Sequence, residues 1–110
     1  MQTRPILLTL VALQLAMSIS AAHATGDIEA KQLYVQSLAA TCANCHGTEG
    51  HAISGATVPG LAGRSADELV AQMKAFRSGE RKATIMHQIA KGFSEAQTQL
   101  LAEYFAAQKR

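Results

Sequence analysis

Two cysteines and a histidine stand together in the run Cys42-Ala43-Asn44-Cys45-His46. Thiols at this spacing can reach the two vinyl groups of a haem and form thioether bonds, and the imidazole that follows then meets the iron. Cys42 and Cys45 are therefore candidate anchors, and His46 is a candidate axial ligand. They are the only two cysteines in 110 residues. In an oxidising compartment such a pair must be oxidised, metal-bound or alkylated, and only the last outcome employs the adjacent histidine. A zinc site would need two more ligands at comparable spacing. His51 and His87 could be offered, but there is no second cysteine pair. A thioredoxin-like redox pair needs a strand–helix setting, which the flanking sequence does not provide.

What such a haem would do depends on its sixth ligand. A methionine sulfur raises the potential and suits electron carriage, whereas an open position suits gas binding or catalysis. Beyond residue 24 the methionines are Met73 and Met86. Met73 shares an apolar helical stripe with Leu69 and Phe76 and reads as core filling. Met86 lies forty positions after His46, enough chain to wrap from one haem face to the other, and is the favoured ligand. Its neighbour His87 competes. His51, five positions from His46, reads as a solvated loop residue. The basic run Arg77-Ser78-Gly79-Glu80-Arg81-Lys82, with Lys91, is either a solvated loop or a docking surface whose association would weaken with salt.

The elements that must position these residues are short. Arg4, an apolar run over 6–17 and Ala22-His23-Ala24 read together as a secretory signal with its cleavage site. The expected organisation is a signal peptide over 1–24 and one domain over 25–110, exported to the periplasm. The apolar run falls short of the about 20 residues that span a bilayer, so no membrane span is expected. Ten Lys and Arg against eight Asp and Glu imply neither a nucleic-acid nor a bulk membrane partner. With no tryptophan and five Phe and Tyr residues in all, a domain this small has little to build a core from. A haem would fill it.

A helix is expected over 28–40, capped by Asp27, with Cys-x-x-Cys-His following its end. Five glycines and Pro59 break the stretch 47–63. Ser65-Ala66-Asp67-Glu68 is a capping-box pattern that opens a helix stopping near Gly79. A short helix over 83–90, capped by Gly92, follows. Ser94-Glu95-Ala96-Gln97 is a second box, opening a last helix over 95–107 with Leu100, Leu101, Tyr104 and Phe105 as its apolar stripe. No segment alternates with strand period. The expected fold is all-α, about four short helices packed around one covalently bound haem.

This order of features resembles the class I cytochrome c family across essentially all of 25–110. Within it the sequence is most similar to the cytochrome subunits of flavocytochrome c sulfide dehydrogenases. The resemblance is carried by residues 40–48, by Val58-Pro59-Gly60-Leu61-Ala62-Gly63, and by Met73-Lys74-Ala75-Phe76-Arg77-Ser78-Gly79-Glu80-Arg81. It continues through Ala83-Thr84-Ile85-Met86, residues 89–94 and residues 102–108. It implies one haem c with His46 and Met86 as axial ligands, and a Pro59 carbonyl that accepts a hydrogen bond from the His46 ring. It also implies an FAD-bearing sulfide dehydrogenase as electron donor, and a chain that transfers electrons without catalysing a reaction of its own. Some members carry two haem domains, whereas this sequence has one Cys-x-x-Cys-His motif. The alternatives are a free soluble carrier between a respiratory or photosynthetic complex and a terminal reductase or oxidase, and a haem enzyme or gas sensor with an open iron.

Overall fold

The computed structural model describes the backbone from Arg4 to Arg110 and the side chains from Thr25 onward. The chain divides into two compact units, Met1–Leu33 and Tyr34–Arg110. The first is helical backbone from Arg4. The signal peptide expected over 1–24 falls on residues whose side chains lie outside the described ones. Among the described residues no helix is long and apolar enough to cross a membrane.

The fold is all α, as the absence of strand periodicity implied. Among the described residues the four α-helices are α1 (Arg4–His46), α2 (Ala66–Ser78), α3 (Met86–Ile89) and α4 (Glu95–Ala106). Two expectations about α1 need correction. The helix passes through Gly26 and Asp27, so Asp27 is no cap. The alanine-rich residues 21–24 before it are strong helix formers and carry the helix past the expected start. The second correction concerns the Cys-x-x-Cys-His motif, which lies inside the last turns of α1 instead of after them. Cys42, Cys45 and His46 then stand at i, i+3 and i+4, which places all three on one face of the helix.

Gly47 stops that helix. Its φ of 84° is a left-handed conformation, and a Cβ built there would lie 2.0 Å from the His51 carbonyl oxygen. Only glycine fits. The chain then makes a 3-10 turn, Thr48–Gly50, and the Gly50 carbonyl accepts from the amides of Leu61 (2.8 Å) and Ala62 (3.1 Å). These bonds close the glycine-rich loop on itself, and the Gly63 amide ties it to the Phe105 carbonyl at 2.9 Å.

Ser65 caps α2 by accepting from the Glu68 amide, but the box is only half made. The Glu68 carboxylate pairs with the Arg64 guanidinium, a charged partner it prefers to a backbone amide. The second box is complete: Ser94 Oγ accepts from the Gln97 amide at 3.1 Å, and Gln97 Oε1 accepts from the Ser94 amide at 2.9 Å. The same Gln97 donates through Nε2 to the Tyr34 hydroxyl at 2.9 Å, so one residue caps α4 and ties it to α1. Between these helices the expected eight-residue helix is shorter. It comprises α3 and a 3-10 turn, Ala90–Gly92, and Gly92 does not adopt the left-handed cap conformation.

The core is thin. Ala39 of α1 clusters with Leu101 and Phe105 of α4, and Leu38, Cys42, Leu61, Leu69, Phe93 and Tyr104 pack around them. Among the described residues no large side chain is completely buried. Helices this short draw most of their stability from tertiary packing, and here that packing surrounds a cavity.

Candidate cofactor site

The cavity has a volume of about 390 Å3 and lies within the second unit. That is inside the ~300–1,000 Å3 range of small-molecule and cofactor sites. Every helix contributes to its wall: Cys42, Cys45 and His46 from α1, Leu69, Met73 and Phe76 from α2, Met86 and Ile89 from α3, Leu101 and Phe105 from α4. Pro59 and Leu61 come from the loop. All five sequence-predicted site residues, Cys42, Cys45, His46, Pro59 and Met86, thus border one predominantly apolar space.

His46 is held in a defined way. Its Nδ1 is 2.7 Å from the Pro59 carbonyl oxygen. A carbonyl only accepts, so Nδ1 carries the hydrogen and Nε2 keeps its lone pair. A histidine prepared to ligate a metal through Nε2 is oriented in this manner. The two cysteines are unpaired with each other. Burial pushes the Cys42 thiol up from its ordinary value, a hydrogen bond from the Thr41 hydroxyl works against the rise, and the nearby Cys45 adds to it. Cys42 therefore stands in the wall as a neutral thiol.

The competing ligands separate. His51 is absent from the wall, its Nδ1 3.1 Å from the Thr48 carbonyl and its Nε2 2.6 Å from the Lys109 carbonyl. It is the exposed loop residue its sequence position suggested, with its ring bound to backbone carbonyls. His87 is also outside the wall, with a buried Nδ1 that has no partner. Met73, read as core filling, lies in the wall as Met86 does, because the core it was assigned to is the cavity itself. Among the described residues no three His, Cys, Asp or Glu converge to hold a bare metal ion. Two thiols, an imidazole with a free lone pair, thioether sulfurs and an apolar enclosure fit a haem. Arg64, Arg81 and Lys82 border the cavity without any carboxylate among the lining residues, which suits a group that carries negative charge at its edge.

The basic run is not uniformly free. Arg77 turns inward, donating through Nε to the Ala90 carbonyl at 3.2 Å and through Nη2 to the Phe93 carbonyl. Arg81 stacks on the Phe76 ring, 4.8 Å from its centroid. Sequence reasoning also passed over Thr98, a cavity residue that is only 4% exposed. Its signal was present: Thr98 is the polar member of a stripe continued by Leu101 and Phe105 at i+3 and i+7.

Comparison with known proteins agrees with the resemblance seen in the motifs. A family model for cytochrome c matches residues 28–109. The chain is 37% identical over 68 residues to the cytochrome subunit of sulfide dehydrogenase of Chlorobaculum tepidum, covering 62% of this chain and 60% of the relative. It is 46% identical over 68 residues to the thiosulfate dehydrogenase electron acceptor of Stutzerimonas stutzeri, covering 59% of this chain and 31% of the relative. A third relative, cytochrome c-554(548) of Halomonas halodenitrificans, is 38% identical over 72 residues, which are 63% of this chain and 86% of that protein. The chain thus spans less than two thirds of the length of the first two relatives.

Proposed function

The chain belongs to the cytochrome c family, and from that premise we propose that it is a single-haem periplasmic electron carrier ligated by His46 and Met86. A cytochrome c domain binds haem c covalently and serves electron transfer, not catalysis. In this reading Cys42 and Cys45 form the two thioethers, and the first 24 residues are a cleaved signal. The observation that carries it is the assembly of Cys42, Cys45, His46 and Met86 around one apolar cavity, with the His46 ring fixed by Pro59.

Bound there, the haem would supply a one-electron change at iron. The rest falls to the chain's own residues. The Pro59 carbonyl keeps the His46 ring in one tautomer and one orientation. Leu69, Phe76, Leu101 and Phe105 exclude water, which keeps the surroundings of low polarity in both oxidation states. Met86, in the cavity wall, would hold the iron through its sulfur, a ligand type that raises the potential and leaves no position for outside ligands. Met73 shares the wall, but Met86 is favoured by its distance along the chain from His46 and by the family resemblance.

The electron donor in this reading is a flavoprotein that oxidises sulfide. Support comes from the 37% identity to a cytochrome subunit of sulfide dehydrogenase and from the stretches 73–81 and 83–86. A free soluble carrier is the second reading, favoured by the match along 86% of cytochrome c-554(548). Purification from the native host decides between them. We expect a chain that starts near residue 25, carries the mass of one haem and co-purifies with a stoichiometric flavoprotein. A haem-loaded chain isolated alone would favour the free carrier, and a chain without covalent haem would overturn the proposal.

A further inference from the structure

We propose that Arg77 is a positioning residue that holds the Met86 segment against the cavity; the inference rests on Met86 being the sixth ligand. The segment has little to hold itself. α3 has four residues and no side-chain cap, so most of its backbone groups cannot be satisfied within the helix. Ile85 and Ile89 border the cavity and do not pack into the core cluster of α1 and α4. From Met86 to Gly92 only Ala90 is buried, at 0% exposure.

Arg77 supplies what the local structure lacks. It extends from the last turn of α2 with its donors on three acceptors: the Ala90 carbonyl, the Phe93 carbonyl and, at 3.4 Å, the Thr98 hydroxyl. All three are neutral, so these are charge-assisted hydrogen bonds that no carboxylate competes for. The connection to the ligand is short. The guanidinium holds the Ala90 carbonyl, and the Ala90 amide donates back to the Met86 carbonyl. On the far side Thr98 Oγ1 donates to the Ser94 carbonyl at 2.9 Å, anchoring the same guanidinium to the start of α4. A planar fork with five donors can serve these acceptors together, whereas a lysine ammonium cannot follow its geometry.

Without Arg77 the Met86 segment should open locally far more often than the whole fold unfolds. An outside ligand then competes for the iron in proportion to the open population. The test is a titration of the ferric holoprotein with imidazole, following loss of the sulfur-to-iron absorption band. R77Q should raise the apparent imidazole affinity on the order of tenfold, the size expected when buried carbonyls lose a charged donor. R77K should fall between R77Q and the unsubstituted protein. S65A removes the cap at the other end of α2, lowers global stability and should leave imidazole affinity unchanged. Unchanged affinity in R77Q, or a rise matched by S65A, would overturn the proposal. If R77Q gives no folded holoprotein, R77K carries the test, and an affinity equal to that of the unsubstituted protein overturns it. A missing sulfur-to-iron band in the unsubstituted protein is a different failure, because it removes Met86 ligation and the inference with it.

Discussion

The segment around His46 and the segment around Met86 border the same cavity and are built in opposite ways. His46 ends a long helix. Its ring is fixed to Pro59 at 2.7 Å, and the loop beyond it is closed by two amides on the Gly50 carbonyl and tied to Phe105. Met86 begins a four-residue helix without a side-chain cap, and its surroundings are held largely by one arginine from another element. The difference teaches where each side can fail. On the His46 side, local geometry and overall stability are one property. On the Met86 side, the segment can leave its place while the fold survives.

The largest expected effect is on the His46 side. His46→Ala should abolish a normal haem site, seen as loss of the native absorption spectrum, because the proposed ligand and its hydrogen bond to Pro59 go together. Cys42→Ala or Cys45→Ala should leave a single thioether and a low yield, read by intact mass. Gly50→Ala should come next. A Cβ there meets the Ala62 amide nitrogen and Phe105 Cδ1 at 2.9 Å, at a φ of 80°. Strain of this kind costs about 1–3 kcal/mol, and the clash with buried atoms adds to it. Thermal denaturation should show a falling midpoint, while the affinity of the surviving folded protein for imidazole stays constant. A raised affinity would break the contrast between the two sides. Ser94→Ala should have the smallest effect, about 1 kcal/mol from the lost cap, measured by chemical denaturation.

That Cys42, Cys45, His46, Pro59 and Met86 would gather at one place was legible in the sequence, because the proposed chemistry resides in residue types at fixed spacing. Cys42, Cys45 and His46 name a reaction by themselves, and the glycines and Pro59 of 47–63 announce a loop. The α4 cap was legible for the same reason, since Ser94 and Gln97 need only each other. The half-made box at Ser65 shows the limit of that reasoning: Arg64 sits one residue before the cap and takes the Glu68 carboxylate. The true extent of α1 was not legible, because Asp27 has the chemistry of a cap wherever it stands and helix propensity upstream decides whether it is used. Met73 was assigned to a core that proved to be the cavity wall, a distinction that periodicity does not carry. The role of Arg77 was hidden for another reason. Its partners are backbone carbonyls thirteen and sixteen residues away, and carbonyls leave no mark in a sequence.

The central claim is that this chain carries electrons at an iron closed by Met86. Mixing the reduced holoprotein with carbon monoxide at neutral pH tests it most directly, with Met86→Ala run in parallel. The unsubstituted protein should form no carbonyl complex on mixing, and Met86→Ala should form one readily. Rapid carbonyl formation in the unsubstituted protein would contradict Met86 ligation and point to an open-iron function.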